Sequence, residues 1–302
     1  MMRSSIPGCL RLTITLLALA PVASGCGAKS TSAPAGPTCP ADDDLLSDFN
    51  TDNGLHKVDG RQGGWYTYGG HTGFGMLTPA EGSGAQPDKT EGNPNCSMMG
   101  ATLGAWHVKA LGDMDWGAAT GVDFVPKVGT DAGLSVKGTY DASKYRGVSF
   151  WAKSAPASTT VDATTQVPVR FVQVKFLDPY TEFPSVIPQA QWCAYMAGKP
   201  QNCSPYIVKF GYGYTGTDLP PVVADYPKYK DYAIDTTWKR FEVLFADTKQ
   251  DQFNAGLKSP GDKLDVSQLM GMAIQVNSDH SDPTMPKPNN FEIWIDDVAF
   301  VK

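Results

Sequence analysis

The chain has 302 residues, 41% of them hydrophobic and 19% charged, with a formal net charge of −6. That length and apolar content suffice for one large β domain, while the acidic balance argues against nucleic acid as a partner, because phosphate binding draws on clustered Lys and Arg. His56, His71, His107 and His280 are scattered, and neither Gly-x-Ser-x-Gly nor His-Glu-x-x-His occurs, so spacing assembles no nucleophile, base and orienting group.

At the start, Arg3 and Arg11, the apolar run from Leu12 to Ala23 and the small residues Ser24 and Gly25 precede Cys26. This is the charged, apolar and small-residue order of a secretion signal, and the run is shorter than the roughly 20 residues that cross a bilayer. Residues 1–25 are therefore expected to be removed. That takes away two positive charges and no acid, and carries the formal charge from −6 to −8. Val22-Ala23-Ser24-Gly25-Cys26 resembles the lipobox of bacterial lipoproteins. The resemblance implies acylation of Cys26 and an exported protein held by that lipid alone, on an outer-membrane, periplasmic or cell-surface face. Residues 26–44, rich in Ala, Ser, Thr, Gly and Pro and ending on Asp42-Asp43-Asp44, read as a flexible tether.

With Cys9 removed and Cys26 acylated, Cys39, Cys96, Cys193 and Cys203 remain. An even count in an oxidising compartment points to two disulfides, and four thiols allow three pairings. The short segment between Cys193 and Cys203 favours that bond, which leaves Cys39 with Cys96; free buried thiols are the alternative. No cysteine or histidine set has zinc spacing.

Residues 45–302 read as one domain. Asp48, Asn50 and Asp52 alternate like the oxygens of a calcium loop, but Gly54 comes one place late and no flanking helix pattern exists, which disfavours an EF-hand and leaves a calcium site of another kind open. Trp65, Tyr66, Tyr68, Trp106, Trp116, Trp151 and Trp192 supply rings suited to stacking on sugar C–H faces, about half of them expected in the core. Residues 69–95 are Gly-rich and irregular. His107 reads as a satisfied strand residue.

Five segments alternate at period two: Val148/Phe150/Ala152, Val172/Val174/Phe176, Phe241/Val243/Phe245, Met272/Ile274/Val276 and Phe291/Ile293/Ile295. They predict half-buried antiparallel strands in an all-β, two-sheet sandwich, with no helical spacing to support a βαβ architecture. The stretch at about 179–235 holds Cys193, Cys203 and eight prolines, and reads as a loop insertion, because proline cannot donate to a ladder. Gly211-Tyr212-Gly213-Tyr214-Thr215-Gly216 matches the dinucleotide fingerprint in letters, but no helix start follows it. Glu292 and Asp296 share one face of a strand and superficially suit glycoside hydrolysis.

Taken together, Leu46-Ser47-Asp48-Phe49-Asn50, Trp65-Tyr66-Thr67-Tyr68, Asp115-Trp116-Gly117, Tyr145-Arg146-Gly147-Val148-Ser149-Phe150-Trp151, Trp238-Lys239-Arg240-Phe241, Leu264-Asp265-Val266-Ser267 and Ile293-Trp294-Ile295-Asp296-Asp297-Val298 resemble family 11 carbohydrate-binding modules and related jelly-roll lipoprotein domains. The resemblance implies a galactose-binding-like jelly roll with a concave ligand face using Tyr68, Asp113, Asp115, Lys249, Phe253, Gln275 and Asn277. It also implies structural calcium on Asp48, Asn50 and Asp296. The family's glucan binders carry more aromatic and basic residues where this chain has Ala273 and Val276. The expected function is non-catalytic binding of a polysaccharide or glycan. The alternatives are an interaction or structural lipoprotein with no sugar site and a divergent glycoside hydrolase.

Overall fold

The computed structural model describes residues 39–41, 44–69, 76–81, 86–96, 104–111, 116–131, 134–156, 169, 171–182, 204–211, 226–251, 261–278 and 290–302. The expected signal, Cys26, most of the tether, Cys193 and Cys203 lie outside them. Fourteen strands follow in chain order: β1 (Leu45–Ser47), β2 (Trp65–Gly69), β3 (Met76–Thr78), β4 (Trp106–Leu111), β5 (Ala118–Asp123), β6 (Val125–Asp131), β7 (Leu134–Gly138), β8 (Gly147–Ser154), β9 (Val172–Leu177), β10 (Tyr206–Phe210), β11 (Lys239–Leu244), β12 (Lys249–Gln250), β13 (Gly271–Val276) and β14 (Phe291–Val301). Among the described residues the helical pieces are short 3-10 turns, and no helix is long and apolar enough to cross a membrane.

The strands form two six-stranded antiparallel sheets and one hairpin. The first sheet runs β11-β8-β14-β4-β3 with β1 also on β14; the second runs β12-β10-β9-β13-β5-β2; β6 and β7 pair with each other. Each period-two segment expected from the sequence forms a strand, except that Phe245 already opens a 3-10 turn after β11, and the apolar residues belong to the core between the sheets. Phe150 and Phe241 of the first sheet stack at 5.4 Å, and Phe241 stacks on Phe210 of the second at 5.5 Å. Phe49 lies against Trp65 and Trp106 at 5.6 and 6.2 Å. Both indoles are buried with their N–H groups satisfied, Trp65 donating to Ser47 Oγ and Trp106 to Thr120 Oγ1, which removes the cost of burying a polar tip.

The first and last described strands pair, with Leu45 opposite Ala299 and Ser47 opposite Val298. Within β14 the register slips between Asp296 and Ala299, and Asp297 takes a positive φ of 45°. This bulge inserts an extra residue, so that Ile295 and Val298 both reach the core while Asp296 and Asp297 turn together toward Asn93. Asn93 N donates to Asp296 Oδ2 at 2.8 Å and Asn93 Nδ2 to Asp297 Oδ2 at 2.7 Å.

One expectation needs correction. The stretch at about 179–235 is not loop throughout, because β10 lies inside it and hydrogen-bonds to β9 on one side and β12 on the other. The prolines bracket this strand instead of interrupting it: Pro205 stands immediately before Tyr206, and Pro220 and Pro221 come well after Phe210. Tyr206, Val208 and Phe210 are buried at alternate positions, the ordinary strand pattern that the surrounding composition hides.

Candidate functional site

Directly paired residues of an antiparallel sheet share a face. Across β2-β5-β13-β9-β10-β12 the registers therefore give two outward rows. One reads Tyr66, Gly121, Ala273, Lys175, Ile207 and Lys249; the other Tyr68, Ala119, Gln275, Gln173 and Lys209. The intervening Trp65, Val122, Ile274, Val174 and Val208 belong to the core, which fixes the rows as outward.

Ala119, Gly121 and Ala273 are the small, buried floor of these rows between larger neighbours. One wall is aromatic: Tyr68 packs against Tyr66 at 5.8 Å and against Trp116 at 5.6 Å. Burial, followed by the charges of Glu182 and Asp123, holds the Tyr68 phenol well above its ordinary pKa, so it acts as a neutral ring with a polar tip. Below Tyr66, its hydroxyl donates to Asp123 Oδ1 at 3.3 Å, and Lys137 Nζ bridges Asp123 and Glu182 at 2.9 and 3.1 Å. That network sets one ammonium against two carboxylates and closes one end of the face with a net negative charge.

At the centre, Gln275 Nε2 donates to Asn277 Oδ1 and to the Trp116 carbonyl. Two acceptors on the nitrogen fix the amide's orientation. Its Oε1 is then left buried with no donor, an arrangement that costs about 1–3 kcal/mol. The centre of the face is covered, with Gln275 4%, Gln173 5% and Ile207 1% exposed. Tyr66, Tyr68, Trp116, Lys175 and Lys209 are part-exposed and Lys249 is exposed, so they form the accessible rim.

Of the residues expected at the site, Tyr68 and Gln275 share one row, Lys249 stands at the far edge of the other, and Asn277 orients Gln275. Asp113, Asp115 and Phe253 lie outside the described residues. Gln173, Lys175 and Lys209 were not anticipated. For Gln173 and Lys175 the signal was the polar half of the same alternation that revealed β9, since Phe-Val-Gln-Val-Lys-Phe places both opposite the core; Lys209 stands on β10, the strand that the surrounding prolines hid.

For the expected metal ligands, pairing of β1 with β14 brings the loop after β1 toward the β14 bulge. Asp48 lies 3.4 Å from His56 Nε2; that hydrogen bond, opposed by burial, holds its carboxyl down at about 2. Asn50 Oδ1 accepts from Gly104 N at 3.0 Å. Asp296 and Asp297 are both pushed up, first by burial and then by neighbouring carboxylates, Asp48 among them. No group of three or more His, Cys, Asp or Glu side chains converges as a metal site among the described residues.

The outer face of the first sheet is occupied by its own contacts. His107 stacks on Trp294 at 4.4 Å and bonds Glu292 at 2.9 Å, Lys109 reaches the same carboxylate at 3.3 Å, and Lys153 covers the other side of Trp294 while pairing with Glu91. His107 is thus the satisfied strand residue expected. Glu292 and Asp296, four residues apart at about 3.3 Å rise per residue, are separated by about 13 Å along the strand. Glycosidase carboxylates stand about 5–9.5 Å apart, and these two do not meet that geometry.

Fold and face together define a two-sheet antiparallel β-sandwich with an aromatic and polar outward sheet. In structure the chain is similar to the family 11 carbohydrate-binding module of a cellulosomal cellulase of Clostridium thermocellum, with 12% identity over 85% of this chain and 92% of that one and a TM-score of 0.40. It is also similar to the family 11 module from Clostridium thermocellum in complex with a β-1,3-1,4-mixed-linked tetrasaccharide, with 11% identity over 85% and 94% of the two chains and a TM-score of 0.41. No protein-family profile and no curated protein matches the sequence.

Proposed function

We propose that the chain binds a polysaccharide or glycan, without catalysis, on the outward face of the second sheet. The observation that carries this is the aromatic wall of Tyr68 and Trp116 beside the unmet Gln275 acceptor. Sugars offer C–H faces for stacking and hydroxyls for bonding, and little other apolar area. Tyr68→Ala should weaken binding by about 10- to 100-fold, the loss typical of an aromatic anchor, with little change in melting temperature. Calorimetric titration with a panel of soluble polysaccharides checks it. Unchanged affinity in the variant would place the ligand elsewhere.

Burial of Gln173, Gln275 and Ile207 favours a second reading, an interaction or structural protein that keeps the fold and has a closed face. A wild-type chain that binds no glycan in the panel would support it. Release of reducing ends from any polysaccharide would instead support the glycosidase reading.

A structural calcium fits the donor set of Asp48, Asn50 and Asp296. These are hard oxygen ligands of the kind calcium takes, and the buried Asp296 and Asp297 have no ion pair among the described residues. Asn50 Oδ1 keeps a second lone pair beyond its bond to Gly104. A cation there would tie the first strand to the last and stabilise the native state by mass action, by about 2.7 kcal/mol at a hundredfold excess over Kd. Chelation should lower the melting temperature and Asp296→Ala should remove that response. Identical melts with and without chelator would exclude the metal.

The charged, apolar and small-residue order before Cys26 supports export and lipid anchoring, on a membrane face the sequence does not specify. Cys26→Ser should abolish acylation and leave an unprocessed or soluble form. A variant that still partitions with membranes at wild-type mass would contradict this.

A further inference from the structure

Lys175 projects from the middle of the outward face, opposite Ala273 on β13. Beyond Ala273 in the same row comes Gly121, so the sheet beside the ammonium presents a methyl group and then a hydrogen. The side chain is part-buried, and that burial, opposed by Asp251 and reinforced by Lys209, pushes its amine down to about 8. Among the described residues no carboxylate lies within ion-pair distance of Lys175 Nζ. Its charge meets the Trp116 ring, with Nζ 5.8 Å from the centroid.

A partly desolvated ammonium is costly unless an anion or good acceptors reach it, and an indole face supplies only part of that. Among the described residues the carboxylate that acts on Lys175 is already engaged: Asp251 stands 3.8 Å from Lys209, which occupies the next strand of the neighbouring row. Among the described residues two lysines thus share one acid, on a face whose central amide also lacks a donor. The chain as a whole carries −6, so any attraction for an anion is local to this patch.

We propose that the ligand is an acidic glycan, with a uronate carboxylate seated on Lys175 and its sugar ring against Tyr68 and Trp116. The inference rests on the carbohydrate-binding reading and adds the charge of the ligand. A carboxylate on an ammonium is a charge-assisted bond, and the neutral analogue forgoes it.

The test compares polygalacturonate with the same polymer after carboxyl reduction, by calorimetric titration into wild type, Lys175→Met, Lys175→Gln and Tyr68→Ala. Wild type should bind the uronate polymer about tenfold or more tightly than the reduced one. Lys175→Met should lose that preference, binding the two polymers alike, while Tyr68→Ala weakens both. Because an unpaired part-buried cation is replaced by an apolar chain, Lys175→Met should melt no lower than wild type; Lys175→Gln gives the same comparison if the methionine variant does not fold. Equal affinity of wild type for the two polymers, or a preference that survives in both lysine variants, overturns the acidic-ligand proposal and leaves glycan binding standing. So does binding to a neutral glycan with none to either of these polymers. Binding to no glycan at all overturns both.

Discussion

Replacing Phe241 with alanine is expected to destabilise the fold by about 3–5 kcal/mol, the range for deleting a buried aromatic ring. Phe241 is 2% exposed. Its ring stacks on Phe150 in its own sheet and on Phe210 in the opposite one, with Tyr232 set edge-on at 5.4 Å. Removing it therefore opens a void at the point where the two sheets touch, and side chains held in paired strands cannot collapse into that void fully. Native domains are stable by roughly 5–15 kcal/mol, so the loss is a large share of the total. Urea unfolding should show a lower midpoint with an unchanged slope. A loss below about 1 kcal/mol would mean that the stack is not the inter-sheet pin described here.

The second large effect concerns Cys39 and Cys96. The two thiols are free in the structure and are neighbours: Cys39 Sγ donates to the Asn95 carbonyl at 3.4 Å, and burial together with a hydrogen bond to Cys39 pushes the Cys96 thiol up. We propose that they close a disulfide in an oxidising compartment. It would join residue 39 to the segment whose Asn93 clamps the β14 bulge, closing a loop from 39 to 96. By loop entropy such a bond stabilises the fold by about 4 kcal/mol. Cys39→Ser and Cys96→Ser should each remove that stabilisation, and the double variant should cost little more than either single one. Peptide mapping without reductant gives the direct check. Cys39 or Cys96 found joined to Cys193 or Cys203 would overturn the pairing.

The strands that could be read from the sequence are those with large apolar residues on the inward face and polar ones opposite, as in Val172-Gln173-Val174-Lys175-Phe176. β5 was not legible. Ala118-Ala119-Thr120-Gly121 carries almost no hydrophobic contrast, and it is a strand because β2 and β13 flank it on both sides and have no room for larger residues: a Cβ on Gly121 would meet Met272 O at 3.1 Å. β10 was hidden by the prolines around it.

Similar limits applied to the site. Tyr68 and Gln275 were reached only through the family resemblance, and register then placed them in one row. Lys175 went unremarked because a lysine at an outward strand position ordinarily signals solvent. Its partial burial beside Trp116 is a tertiary fact, set by how β9 and the residues before β5 come together. The pairing of Glu292 with Asp296 as candidate acids failed for the converse reason: spacing gives a shared face but not a shared centre, and the strand's rise keeps them too far apart.

The central claim is that a glycan docks on the outward face of the sheet β12-β10-β9-β13-β5-β2. Titrating a bound oligosaccharide into isotope-labelled protein and following the side-chain amide signals tests it most directly. The account predicts that the Gln275 and Gln173 amides and the Trp116 indole shift together and saturate with the calorimetric affinity, while the Trp294 indole on the opposite sheet stays fixed. Shifts confined to Trp294 and Trp238, with Gln275 and Trp116 unmoved, would contradict it.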